Sequence, residues 1–554
     1  MRPFSNRFLP VACCCGLALS GCNLAPDYER PQLEASAPFK EAVPDTSGAS
    51  QGWRLAQPND ETLRGSWWEL YHDSQLNALE ERVAVSNQTV VAAEANYRVA
   101  RALLLQAQSA LYPSVTADPS VIRSRSSASI VAGGGSSGGS STSSSPASGS
   151  GGGVGPRTDY TLPFEASYEV DLWGSVRNSV AQSSFEAQAS AASVEIALLG
   201  ARSALAQAYF SLRAVDEQRR ILDTTLADYE ASLHLVRTLY NNGLASEEDL
   251  AEADTQLDSA EAQATDLGIA RAQYEHVIAV LIGVSPSSFS IGVRPFNPQM
   301  PQIPVGLPSE LLERRPDVAA AERQVAAANA GIGLARAAYF PTLTLGATGG
   351  FAATDLSKLL DWPNRIWSVG PSVVMPIFEG GLRRAQNEQA RAVYDADVAD
   401  YRQTALAAFQ SVEDNLASLR ILSKEVVQQH RAALAAQKLV QLSVTRYQNG
   451  LDSYVNVITA QNTFLTNRLA ELQAQLRQVT ASIALVNNLG GGWDDYQMEQ
   501  TGKTALHPAA AIAEPPAENA VPGVPNPPPL PETVKRPEDI LKQNEGDMAP
   551  GPGN

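Results

Sequence analysis

Past residue 22 the chain contains no cysteine: Cys13, Cys14, Cys15 and Cys22 are the full complement. That excludes a disulfide framework for the body of the protein, and any metal site built on thiolates. Histidine is nearly as scarce. The five (His72, His234, His276, His430, His507) have no metal-ligand spacing, and His234 and His276 read as helix-surface residues. Basic residues are outnumbered, 41 Lys and Arg against 59 Asp and Glu, for a formal charge of -18. A phosphate-rich partner needs a basic face, so nucleic-acid binding is excluded. After the N-terminal segment no stretch approaches the roughly 18 apolar residues of a spanning helix, so a chain that crosses a membrane must do so as strands. An enzyme constellation is lacking too. Gly48-Ala-Ser-Gln-Gly52 fits a G-x-S-x-G pattern but lies in an irregular linker rather than a strand–turn–helix elbow. The chain reads as a non-enzyme without a bound cofactor.

What is present begins with an export signal. Residues 1–21 carry Arg2 and Arg7, an apolar run from Phe8 to Leu19, and the close Leu19-Ser-Gly-Cys22. The last four have the form of a bacterial lipobox, so Cys22 is expected to carry a covalent lipid and to become the mature N-terminus. Residues 22–66 are Pro-rich and read as a lipid-anchored extended arm. From residue 494 to 554 the chain is rich in Pro, Ala, Glu and Asn, and reads as a disordered tail.

Between these ends the chain says the same thing twice. Arg237-Thr-Leu-Tyr-Asn-Asn-Gly-Leu-Ala-Ser246 is echoed by Thr445-Arg-Tyr-Gln-Asn-Gly-Leu-Asp-Ser453, each after a very long Ala-rich helical stretch and before a shorter one. Leu111-Tyr-Pro-Ser-Val-Thr116 is echoed by Tyr339-Phe-Pro-Thr-Leu-Thr344, and Asp171-Leu-Trp-Gly174 by Ile377-Phe-Glu-Gly380. Self-similarity of this kind restricts the fold more than any single motif. It gives a first repeat over 67–300 and a second over 301–493.

Each repeat predicts a helix, two strands and a long helix pair. In the first, one helix capped by Asp73 or Ser74 runs to about Leu111, where Pro113 stops it. Two strands then flank a Gly/Ser-rich loop, 131–155. In the second strand Tyr160, Leu162, Phe164, Ala166, Tyr168, Val170 and Leu172 alternate with Thr161, Pro163, Glu165, Ser167, Glu169 and Asp171. That alternation fits a lipid-facing strand around a watery lumen, and equally a strand of a soluble sandwich; the lipobox favours lipid. Long helices follow over 175–240 and 382–448, each turning back at a glycine. Pro113 to Gly174 is 61 residues (174 − 113) and Pro341 to Gly380 is 39 (380 − 341), so the first hairpin carries 22 more (61 − 39). Four strands cannot close a barrel, and an open edge in lipid leaves backbone groups unsatisfied. Several copies must therefore share one barrel. A lipid-anchored periplasmic coiled-coil protein is the alternative of a different class.

The order of motifs resembles the outer-membrane efflux lipoproteins of the NodT type, in the TolC/OprM superfamily. The residues that carry the resemblance are Cys22-Asn-Leu-Ala-Pro-Asp-Tyr28, Trp67-Trp with Tyr71, Asp73, Leu76 and Leu79, Leu311-Leu with Arg314-Arg-Pro-Asp-Val318, the two Gly-Leu-x-Ser turns, and Leu489-Gly-Gly-Gly-Trp493. The resemblance implies an α+β membrane protein and a homotrimer with one twelve-stranded barrel in the outer membrane, to which each chain gives four strands. A long α-helical tunnel would continue the barrel into the periplasm. It also implies a periplasmic adaptor and an inner-membrane pump as partners, outer-membrane lipid as surroundings, and a duct for drugs or other small molecules. A type I secretion duct for polypeptides shares this architecture. By the same resemblance the tunnel closes at its periplasmic tips, around Gly243 and Gly450. The candidates there are Glu247, Glu248, Asp249 and Glu252 after the first turn, and Asp452, Asn456, Thr459 and Asn462 after the second. Relatives place acids at the positions of Asn456 and Thr459, and one branch an arginine at Asn462. Here those three are neutral, so hydrogen bonds are expected in place of an ionic lock. The acids after Gly243 are open to a second reading, as first-turn charge on a helix.

Overall fold

The computed structural model describes residues 23–33, 40–41, 66–125, 156–301 and 315–491. Cys22, the 131–155 loop and the 494–554 tail lie outside the described residues. The first half runs α1 (Ser74–Ser86), α2 (Gln88–Ser109), β1 (Ser114–Ala117), β2 (Ser120–Ser124), β3 (Arg157–Val170), α3 (Ser175–Asn241) and α4 (Glu247–Leu281). The second runs α5 (Pro316–Ala337), β4 (Thr342–Ala353), β5 (Arg365–Val374), α6 (Leu382–Gln448) and α7 (Tyr454–Asn488).

The duplication holds residue for residue. Helices α2 and α5 each have 22 residues, α3 and α6 each 67, and α4 and α7 each 35. A 67-residue helix is about 100 Å long. Matched residues are 228 apart before the strands (316 − 88) and 207 apart after them (382 − 175), so the first hairpin is 21 residues longer (228 − 207). That is one fewer than the landmark spacing predicts, because the counterpart of the cap Gly174 is Gly381 rather than Gly380.

The single helix expected up to Leu111 is two. Asp73 caps α1 by accepting from the Gln75 and Leu76 N–H groups at 2.9 and 3.2 Å. Asn87 then leaves the helical region and caps α2, accepting from Thr89 N–H (2.9 Å) and Val90 N–H (3.2 Å). A side chain that bonds its own downstream backbone competes with helix continuation. The Asn87 amide also donates to the Leu281 carbonyl at 2.8 Å, which fixes the break against the end of α4.

In the sheet, β1 and β2 follow one register on β3: Ser114 opposite Ser167, Ala117 opposite Phe164, Ser120 opposite Thr161, Ser124 opposite Arg157. They are one strand, interrupted at Asp118-Pro119: the Asp118 N–H donates to the Pro163 carbonyl at 3.2 Å, but Pro163 has no N–H to return the bond. So counted, the four expected strands lie antiparallel in the order β1/β2, β3, β4, β5. Opposed residues share a face. One face carries Val115, Val121, Phe164, Tyr168, Leu345, Trp367 and Val369, and the other Thr116, Ser120, Glu165, Glu169, Thr348 and Ser372. Trp367 and Val369, on the apolar face, are 74% and 72% exposed in the protomer.

One expectation needs amending: an 18-residue window in α3 does reach a mean hydropathy of 1.2. The helix is also rich in alanines. They serve close packing, since Ala192 of α3 seats against Ala319 of α5.

The largest core gathers where α1 meets the upper ends of α4 and α7. Trp67, Tyr71, Leu76 and Val83 pack with Leu205, Tyr209, Ile278, Ile282 and Ile483. A buried polar network ties the chain after α4 to this core. Asp216 accepts from Arg213 (2.8 Å), from Arg271 (2.9 Å) and from the Arg294 N–H (3.3 Å). Arg213 also donates to the Gly292 carbonyl (2.8 Å) and to Gln75 (2.7 Å). Arg271 reaches the Ile291 carbonyl at 2.7 Å. Along α5, residues of the N-terminal arm run antiparallel to the helix. Arg336 donates to Leu24 O (3.3 Å), Asn329 to Pro26 O (2.9 Å), and the Tyr28 hydroxyl to the Glu322 carboxylate.

Glu80 sits in the same core, fully buried, with no partner for either carboxylate oxygen. Burial pushes its carboxyl up to about 9, against a downward pull from Arg202. An unfolded Glu titrates near ~4.3. Between those values the unfolded chain has lost a proton that the folded chain keeps, so stability falls as pH rises through the window. Glu80→Gln, neutral throughout, is expected to raise the melting temperature at pH 8 and to flatten its decline between about pH 5 and 9. An unchanged slope in thermal melts would count against this account.

Candidate functional site

Both helix pairs end in the same turn, built from the same atoms. At the first, Gly243 takes φ 74° and donates to Tyr240 O (2.8 Å), while Leu244 donates to Leu239 O (2.9 Å). At the second, Gly450 takes φ 69° and donates to Tyr447 O (2.9 Å), while Leu451 donates to Arg446 O (2.9 Å). These bonds satisfy carbonyls that a helix end leaves free. A Cβ at either glycine would meet nothing within 4 Å. The left-handed backbone alone therefore selects glycine, against about 1–2 kcal/mol for another residue.

The return helices start differently. Ser246 and Asp249 form a reciprocal cap on α4, with Asp249 N–H on Ser246 Oγ (3.1 Å) and Ser246 N–H on Asp249 Oδ2 (3.2 Å). Asp249 is thus engaged as a capping residue. Glu247 and Glu248 are exposed in the same first turn. Glu252 is partly buried, and one of its oxygens has no partner.

On the other pair, Ser453 caps α7 without its side chain. Asp452 takes over: its carboxylate accepts from the Asn456 amide, from Arg446 Nε (3.2 Å) and from Ser453 N–H (3.0 Å). The Asn456 bond first, then Arg446, holds this carboxyl below the usual range. Thr459 donates to the Val455 carbonyl of its own helix at 2.8 Å. Asn462 reaches across to α4, accepting from Gln256 (2.8 Å) and donating back to it (3.4 Å).

A second amide bridge, which the sequence did not reveal, runs from Gln461 to Ser232 of α3 at 3.1 Å. Beneath both bridges Leu233, Val236, Ala253, Tyr454 and Val457 form a small core. The Tyr454 phenol is pushed up to about 12 by burial, then by Tyr447 and Tyr229, with smaller effects from Glu252 and Asp249. The ion pairs at this end, Arg237–Asp254 (3.3 Å) and Arg446–Asp452 (3.2 Å), each stay within one helix pair. Among the described residues, the side-chain hydrogen bonds that join the two pairs here are neutral.

A family model described as outer membrane efflux protein matches residues 79–284 and 307–491. The toluene efflux pump outer membrane protein TtgC of Pseudomonas putida is 30% identical over 496 residues, spanning 88% of this chain and 95% of that protein. The pyoverdine export outer membrane protein OpmQ of Pseudomonas aeruginosa is 32% identical over 461 residues, 80% of this chain and 91% of its own. The solved outer-membrane channel OprN superposes with a TM-score of 0.75 at 28% identity, covering 85% of this chain and all of that one.

Proposed function

Because the chain belongs to the outer membrane efflux protein family, we propose that it passes small molecules, apolar ones among them, out of the cell. The channel itself follows from the family and the fold. Three chains form one barrel in the outer membrane, continued by a helical tunnel into the periplasm. The observation that carries the substrate class is the match over both repeats to relatives named for toluene and pyoverdine export. A periplasmic adaptor and an inner-membrane pump are the partners of this reading, and co-purification from crosslinked cells checks them. The lipobox supports a lipid on Cys22, which mass spectrometry of the N-terminal peptide would detect.

In this reading the tips around Gly243 and Gly450 are the gate, held shut by neutral bonds. Support comes from Gln256–Asn462 and Gln461–Ser232, the bridges between the two pairs. Each such bond contributes about 0.5–1.5 kcal/mol, so losing both shifts the closed-to-open ratio by roughly 5- to 150-fold. One set of strains tests duct and gate together. Deleting the gene is expected to raise intracellular accumulation of an apolar dye, and the wild-type gene to reverse it. Purified Gln461→Ala/Asn462→Ala is expected to raise single-channel open probability in planar bilayers by that factor. Unchanged dye levels would refute the duct, and an unchanged open probability the gate.

A further inference from the structure

The sheet of one protomer has two open edges, β1/β2 and β5. In lipid such edges leave a row of backbone groups without partners. The duplication states how they meet. The two hairpins share one register: Ser114 opposite Ser167 in the first has Thr342 opposite Val374 as its counterpart in the second. The joint between the halves, β3 on β4, is also present, with Glu165 opposite Thr348 and Val170 opposite Leu343. The counterpart of Glu165 in the second half is Ser372, and that of Thr348 in the first half is Ser120.

We propose that β5 of one protomer pairs antiparallel with β1/β2 of the next in this inherited register, Ser372 opposite Ser120 of the partner subunit and Ile377 opposite Val115 of the partner subunit. The inference rests on the trimeric barrel and adds which residues meet at its seams.

Two independent observations agree with it. The first is the facing. Ser372 and Ser120 both lie on the polar face, and Ile377 continues the apolar face of β5. A slip of one residue would set every apolar side chain of one strand against polar ones. The register also extends β5 through Met375 to Ile377, the counterparts of Tyr168 and Val170. Those two apolar side chains are 61% and 96% exposed in the single protomer.

The second observation lies in the helices. Ala192 of α3, fully buried, touches Ala319 of α5, 6% exposed, at the joint within the chain. Their counterparts are Ala399 of α6, exposed, and Val91 of α2, 40% exposed. Positions covered at the internal joint are thus bare at both outer flanks, where the same joint between copies would cover them.

Cysteine crosslinking tests the register, and the body of the chain offers a clean background, since no native cysteine lies beyond Cys22. Full-length Ser120→Cys/Ser372→Cys, oxidised in outer membranes or treated with a short bifunctional thiol reagent, is expected to shift from monomer to trimer on denaturing gels. Neither single variant should shift. Ser124→Cys/Ser372→Cys places the thiols about 13 Å apart along the strand, beyond disulfide reach, and should stay monomeric. Crosslinking of the displaced pair without the aligned pair overturns the register. If neither pair crosslinks while native gels show trimers, the register falls and the duct stands. If native gels show only monomers, the trimeric reading falls with it.

Discussion

Replacing Asp216 by Ala is expected to cost the protomer about 3–5 kcal/mol, the penalty for leaving a buried charge without its counter-ion. Both side chains of the Arg213–Asp216 pair are nearly sealed from water, at 3% and 1% exposure. Without the carboxylate, Arg213 keeps the Gly292 carbonyl and Gln75 but no negative charge. Arg271 loses the same partner, and the Arg294 N–H loses its acceptor. The loss approaches the whole stability of a marginal domain, about 5–15 kcal/mol. The variant should melt far below wild type in detergent, followed by helical circular dichroism. Amide exchange should quicken first in residues 283–296, which the network pins. Asp216→Asn keeps an acceptor and should lie between the two. A melt of Asp216→Ala indistinguishable from wild type would show that the arginines find water or other acceptors instead.

The second large effect is expected at Gly350. A Cβ there would lie 2.1 Å from the Leu162 carbonyl oxygen and 2.8 Å from the Pro163 Cα. Both obstacles are backbone, so no rotamer can relieve them. Gly350 stands opposite Pro163 on the two strands that join the halves of the chain. Gly350→Val must therefore part β3 from β4 or leave the barrel unformed, an effect in the exceptional class above about 4 kcal/mol. Trimers in the outer-membrane fraction should fall by more than about tenfold. Gly349→Ala is the matched control, since a Cβ at Gly349 meets nothing within 4 Å. Equal trimer yields for Gly350→Val and Gly349→Ala would refute the steric argument.

The parts of this fold that sequence made legible are those written locally. The helix α6 begins and ends where its flanking glycines and the Asn449-Gly450 turn put it, at Leu382 and Gln448. The faces of β3 follow from its alternation, because side-chain direction in a strand has a period of two. Other features depend on residues far apart in the chain. The break at Asn87 needs Leu281, and the network at Asp216 needs Arg271 and Arg294. The tip bridges join residues more than 200 positions apart (462 − 256 = 206). No periodicity or turn signal announces such a pairing. The acids after Gly243 illustrate the middle ground. Their identity was plain, but only the geometry shows that Asp249 spends its carboxylate on the Ser246 N–H.

The inward face of the sheet carries hydroxyls from Ser120, Thr348 and Ser372, bare backbone at Gly346, Gly350 and Gly370, and the carboxylates of Glu165 and Glu169. Among the described residues lysine is missing from it, and its one arginine, Arg157, is already paired with Asp159. A solute crossing this wall finds mostly small, wettable surfaces and a negative field, interrupted by the apolar side chains of Ile122, Ile366 and Val374. Such a field draws cations in and slows anions.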